Sequence, residues 1–195
     1  NKKNIKKARK NNLTCFIADN TKENIEAFID LYRETMDRNH ASSYYYFDEE
    51  YFFEQVKETG TSETLLLLAK WKNEIIAGVM VLVGKEFSHY HLGASKTKYL
   101  ELRPNNLLFD FMIEICKSKG SQLLHLGGGY QEDDGLFKFK TAFTSNNNYE
   151  YYLGKKIHNT ERYKVITESL QNQYELDESY FPIYRGKLVK RKIHI

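Results

Sequence analysis

Apolar residues recur along this chain with two different periods. Ile25, Phe28, Ile29, Tyr32 and Met36 fall at helical spacing. Asn20, with Glu23 three residues on, reads as the capping box that starts this helix, and the pattern fades near Arg38-Asn39-His40. Asp48 offers a cap for a second helix running to about Glu58, with Phe52, Phe53 and Val56 on its inner face. Residues 64–70, 75–83 and 87–93 are then strand-length runs, a meander. Its turns are Trp71-Lys72-Asn73-Glu74, where Asn73 suits a positive φ, and Gly84-Lys85. Helical spacing returns at Leu107, Leu108, Phe111, Ile115 and Cys116, opened by Pro104 and stopped by Gly120. Residues 13–17 read as a first strand and 123–126 as a fifth, which runs into Gly127-Gly128-Gly129. A short helix over 135–143, a strand over 149–153 and a charged helix over 161–173 complete the reading.

The predicted order is strand, two helices, three antiparallel strands, helix, strand, helix, strand. That is an α/β (α+β) layout with a central sheet flanked by helices. With 195 residues and 41% hydrophobic content the chain suits one domain, divided into a basic segment over 1–12 and a single domain over 13–195. The longest apolar stretches, 65–69 and 75–83, fall well short of the ~18 residues a membrane-spanning helix needs. No secretory leader pattern is present. Cys15 and Cys116 lie far apart among apolar neighbours, which suits a reduced, cytoplasmic chain. No Cys/His spacing resembles a metal site, so no metal is expected.

The net charge of +3 is unevenly distributed. Residues 1–12 carry six basic side chains and 185–195 carry five, neither stretch holding an acid, which leaves 18 basic against 26 acidic residues between them. Basic ends on an acidic body suit a phosphate-bearing partner, or are solvated tails.

Several motifs then share one resemblance. Tyr32-Arg33-Glu34-Thr35-Met36-Asp37-Arg38 followed by Tyr44-Tyr45-Tyr46-Phe47, Leu102-Arg103-Pro104-Asn105-Asn106-Leu107-Leu108, Leu126-Gly127-Gly128-Gly129, and Gly135-Leu136-Phe137-Lys138-Phe139-Lys140 with Phe143 occur in order. So does the basic segment Lys6-Lys7-Ala8-Arg9-Lys10. Over about residues 5–155 the chain resembles the second lobe of the Fem family of peptidoglycan-bridge aminoacyltransferases, within the GNAT (N-acetyltransferase-like) superfamily. A full Fem enzyme has two such lobes, and this chain has room for one.

The resemblance implies a GNAT-type acyltransferase fold whose mixed sheet splays between strands 4 and 5, the site lying in the split. It implies an aminoacyl-tRNA donor, bound by its acceptor end, and a cell-wall precursor as acceptor. Lys140 would stabilise the charge that develops as an amine attacks an ester carbonyl, with Phe139 packing against the donor. Arg103, Asn105 and Asn106, at a helix N-terminus, would meet donor phosphate, or serve as helix caps. Gly127, Gly128 and Gly129 would let backbone approach the ligand, or form a plain turn. Arg38, Tyr44 and Tyr45 would form the acceptor side, or pack. Lys7 and Arg9 would suit an acceptor pyrophosphate, or a tail.

One departure bears on the donor. Acetyl-CoA enzymes of this superfamily carry a glycine-containing loop around the pyrophosphate, yet no glycine occurs between Ala94 and Lys119. Two alternatives stand beside the Fem-like reading: acetyl-CoA-dependent N-acetylation of an amino sugar or other small amine, and a non-catalytic binding module. His89, His91 and His125 lie on the two strands expected to splay, with His91 and His125 placed to face one another. Asp133 and Asp134 read as a solvated loop. No Ser/His/Asp or Cys/His triad is evident.

Overall fold

A strand that is apolar at every position must be covered on both faces. Residues 65–69 meet that condition: Leu66, Leu67 and Leu68 are fully buried, with Leu65 and Ala69 beside them. The chain solves it as a sandwich of helices, sheet and helices. The computed structural model describes residues 1–129, 134–144 and 148–190. It divides into two compact units, Asn1–Asn148 and Tyr149–Ile195.

In the first unit, α1 (Lys2–Lys10) precedes β1 (Thr14–Ala18), α2 (Lys22–Arg38) and α3 (Glu49–Gln55). There follow β2 (Ser62–Trp71), β3 (Glu74–Gly84), β4 (Phe87–Ser95), a 3-10 turn over Thr97–Leu102, α4 (Pro104–Ser118), β5 (Leu123–His125) and α5 (Gly135–Thr141). The five strands lie in sequence order, β1 to β4 antiparallel and β5 parallel to β4. Odd and even residues of β2 go to opposite sides. Leu66 and Leu68 meet Phe28, Ile29, Tyr32 and Phe52 of α2 and α3. Leu65, Leu67 and Ala69 meet Leu108, Phe109 and Met112 of α4. Each buried Leu or Phe is worth roughly 1.5–3 kcal/mol over exposure, so these two layers hold the sheet between them.

Local sequence sets most boundaries. Asp48 caps α3, its carboxylate accepting from Tyr51 N–H at 2.9 Å. Pro104 opens α4, and Gly120 at φ 90° follows its end. Two expectations shift by a residue. Thr21, not Asn20, caps α2, because the Asn20 amide donates to the Val56 carbonyl at 3.2 Å. The residue with positive φ in the β2–β3 turn is Lys72 (55°), not Asn73.

Larger departures concern the ends. Residues 1–12 are not a tail: Ile5 and Ala8 bury one face of α1 with Leu13, Tyr99 and Leu107. The expected strand over 149–153 does not form, and Tyr149, Tyr151, Tyr152 and Leu153 stand exposed. The second unit instead holds α6 (Thr160–Gln171) and a two-stranded antiparallel sheet of β6 (Tyr174–Leu176) and β7 (Leu188–Lys190). The boundary between the two units, after Asn148, falls within the stretch 13–195 expected as a single domain. Asp133 and residues 191–195 of the basic C-terminal stretch lie outside the described residues.

Candidate functional site

Where β5 stops, the sheet opens. Strand β5 pairs with β4 only from Phe87↔Leu123 to His89↔His125, while β4 continues to Ser95. At the far end of β4, helix α2 closes the same edge. Thr35 Oγ1 accepts from Ser95 N–H at 2.9 Å and donates to Ser95 C=O at 3.2 Å. Arg38 adds Nη1 donations to Ser95 C=O (2.7 Å) and Thr97 Oγ1 (2.8 Å). Between these ends, residues 90–94 of β4 face a gap in the ladder. Within it β4 bulges: Met80 pairs with Leu92 and Val81 with Tyr90, leaving His91 as the extra residue. Gly93 is required here, because a Cβ would sit 2.1 Å from the Tyr90 hydroxyl oxygen.

Lys140 reaches this opening from α5. Asp134 caps that helix, accepting from Phe137 N–H at 2.7 Å, and Phe139 anchors it against Phe109 and Phe143, with ring centroids 4.8 and 5.4 Å away. Lys140 is turned inward and is only 7% exposed. Its ammonium donates to the Gly128 carbonyl at 2.7 Å and lies 5.1 Å from the Tyr90 ring centroid. Gly127 makes the room. It adopts φ 70°, and a Cβ there would stand 3.4 Å from Lys140 Nζ. Burial holds the Lys140 pKa below the usual lysine value, partly offset by Asp134. Burial also pushes the Tyr90 phenol up to about 12, so it stays neutral beside the ammonium.

Two histidines stand at the apex of the split. His89 and His125 Nδ1 atoms are 2.8 Å apart, their rings stacked at 4.8 Å. This corrects the expected pairing of His91 with His125. The parallel register sets His89 opposite His125, and the bulge sends His91 to the Tyr51 hydroxyl at 2.7 Å. Burial, His125, His91 and Lys140 hold His89 below the ordinary histidine value, and burial does the same for His91. Among the described residues no cluster of His, Cys, Asp and Glu side chains could hold a metal ion.

The other sequence-stated candidates sit as follows. Gly127 and Gly128 join Lys140, and Gly129 is exposed beyond them. Arg103 is the left-handed residue before α4, at φ 64°. Asn105 Nδ2 donates to Ser95 Oγ at 3.2 Å, tying the start of α4 to the end of β4. Asn106 is buried, donating to the Asn1 side chain at 3.2 Å. Arg38 is occupied with Ser95 and Thr97. Tyr44 is exposed and packs edge-on against Tyr45, whose carbonyl accepts from the Tyr32 hydroxyl. Lys7 pairs with Glu101 and Arg9 with Asp110, so both dock α1. Phe139 lies in the core cluster of α4. Two cavities lie elsewhere. One of about 290 Å³ is bounded by Arg9, Cys15, Asp110 and Glu114, and one of about 320 Å³ in the second unit by Lys156, Arg162, Tyr163 and Tyr184.

A mixed sheet parted between an antiparallel meander and a parallel fifth strand, with a buried cation and a glycine turn at the opening, defines an acyltransferase fold. The comparisons agree. Residues 1–141 match the family described as acetyltransferase (GNAT) domain, and the chain belongs to that family. No curated protein matches in sequence. Similar solved structures include an aminoglycoside acetyltransferase from an uncultured soil metagenomic sample, in complex with trehalose (TM-score 0.52, 13% identity, 76% of this chain and 95% of that one). A possible acetyltransferase from Clostridium difficile 630 is similar at TM-score 0.53 and 14% identity, covering 75% and 99%. FemX is similar at TM-score 0.58 and 14% identity, over 72% of this chain and 51% of its own. Among the described residues no helix is long and apolar enough to cross a membrane.

Proposed function

We propose that this acyltransferase forms an amide by moving an aminoacyl group from an aminoacyl-tRNA to a primary amine of a cell-wall precursor. The observation that carries the reading is Lys140, a buried ammonium held on the Gly128 carbonyl where β4 and β5 part. As the amine attacks the donor carbonyl, negative charge develops on the carbonyl oxygen. A fixed cation in a water-poor cleft lowers that barrier by about 3–4 kcal/mol. The Fem-like motifs surround this lysine, and FemX is among the similar folds.

The start of α4 fits a coenzyme A pyrophosphate poorly. Pro104 has no N–H to offer, the Asn106 side chain is buried against Asn1, and glycine is absent from the turn. Arg103 and the first-turn amides are left as contacts for a single phosphate of the donor. The second reading, acetyl transfer from acetyl-CoA to an amino sugar, is favoured by the family match and by the aminoglycoside acetyltransferases of the same fold.

The test offers both donors to the purified chain: charged tRNA with a lysine-containing peptidoglycan-precursor peptide, and acetyl-CoA with a panel of amino sugars. Transfer from tRNA, with no thermal shift from micromolar coenzyme A, is expected. Acetyl transfer with a clear coenzyme A shift, and none from tRNA, would overturn the donor assignment.

A further inference from the structure

We propose that His89 accepts the proton of the attacking amine and that His125 passes it on to solvent. This rests on the reading of the β4–β5 split as the site of amide formation.

Position is the first argument. His89 and His125 are the last registered pair before the strands part, so they form the floor of the opening. Lys140 lies close enough to His89 to act on its charge. An amine attacking a carbonyl polarised by Lys140 would therefore arrive beside the pair.

The second argument is the contact itself. With Nδ1 atoms 2.8 Å apart, one imidazole donates and the other accepts. If His89 donates, its Nε2 keeps a lone pair for an incoming proton. Protonation there strengthens the Nδ1–H donation toward His125, whose ring is exposed to solvent.

Charge is the third. Among the described residues the groups acting on His89 are His125 of β5, His91 of β4 and Lys140 of α5, and none of these is a carboxylate. On its far side, among the described residues, His91 meets the Tyr51 hydroxyl of α3. A histidine so placed rests neutral and ready to accept.

The step balances. The neutral amine attacks the donor R–C(=O)–X, a C–N bond forms, and the C–X bond breaks with its electron pair leaving on X. The nitrogen gives one proton to His89 Nε2. His125 takes the shared proton and releases one to water, and X takes one proton from water. The products are the amide and H–X, with both rings neutral, and proton exchange with water at the two Nε2 atoms, with return of the shared proton to His89, restores the starting tautomers.

The experiment uses the full chain with whichever donor shows transfer. For the wild type, kcat/KM should fall in acid with a limb below the ordinary histidine value of 6.5. His89→Gln should lower kcat by about 10²–10³-fold with KM little changed, and abolish that limb. His125→Gln removes the acceptor of the shared proton and should lower kcat while the acid limb, set by His89, remains. Nitrogen-15 NMR of the wild-type imidazoles provides a reading independent of the variants' folding: the His89 ring should titrate below 6.5, with the midpoint of the kinetic limb. A fully active His89→Gln with an unchanged profile, or a His89 ring titrating at the ordinary value, overturns the proposal alone. A wild type that transfers no acyl group from either donor overturns the site reading, and this proposal with it.

Discussion

Replacing Lys140 by Met separates charge from packing at the centre of the site. The two side chains have similar length, so the position between Gly128 and the Tyr90 ring stays filled, and the thioether keeps a favourable contact with the aromatic face. What disappears is the cation. If it contributes about 3–4 kcal/mol to oxyanion stabilisation, and each 1.36 kcal/mol is tenfold in rate, Lys140→Met should slow single-turnover transfer by about 10²–10³-fold. Stability should respond differently. The charge-assisted bond to Gly128 is worth ~1.5–3 kcal/mol, but Gly128 is exposed and its carbonyl can turn to water. Burying an ammonium also costs folding energy, as the lowered Lys140 pKa records. The two effects oppose, and the urea midpoint should report a net change within about 1 kcal/mol. A Lys140→Met protein that is folded and fully active would refute the catalytic role. One that loses several kcal/mol of stability would show the lysine to be a strut for α5.

Other expectations follow from named contacts. Gly78→Ala puts a Cβ 2.7 Å from Phe28 Cδ2 and 2.9 Å from Leu68 Cδ2, both side chains fully buried, and should cost about 1–3 kcal/mol by urea unfolding; an unchanged midpoint would mean the α2 layer shifts freely. The Cys15 thiol, raised to about 12 chiefly by burial, should react with a disulfide reagent at pH 8 far more slowly in the folded than in the unfolded chain, and rapid native labelling would contradict the packing of β1. His89 and His91 titrate below 6.5 when folded, so the unfolded chain binds more protons between the folded values and 6.5. Their contribution is therefore complete above pH 6.5 and is lost as pH falls through the folded values. Urea midpoints measured on either side of that window should show the drop, and a shallower drop in His91→Gln would assign part of it.

The fold was legible where burial is symmetric and caps are strong. Strands β2 and β3 read from their unbroken apolar runs, α3 from Asp48 and α4 from Pro104. Failures came where a side chain had a better partner than local sequence reveals. Asn20 gives its amide to Val56, so Thr21 takes the cap. The tyrosines at 149–152 have strand-like composition, but nothing pairs with them among the described residues. Within the site, Lys140 stood out because the glycine turn and the α5 motif surround it in sequence. The histidine pair did not. Which imidazole meets His125 depends on a parallel register and a one-residue bulge, and neither leaves a trace in hydrophobic periodicity. Arg38, expected on the acceptor side or as packing, has its guanidinium on Ser95 and Thr97 at the end of β4.

Thr35 has a consequence for how such a site can change over time. Its hydroxyl ends the open edge of β4 at Ser95, while β5 ends it at His89. The free stretch between them is a window of roughly 16 Å at the rise of a strand. One frame of that window belongs to α2 and the other to β5, at two ends of the same edge. Substitutions in α2 can therefore lengthen or shorten the backbone offered to a substrate while the lysine and histidines stay where they are. The proposed site thus puts reach and reactivity under separate control.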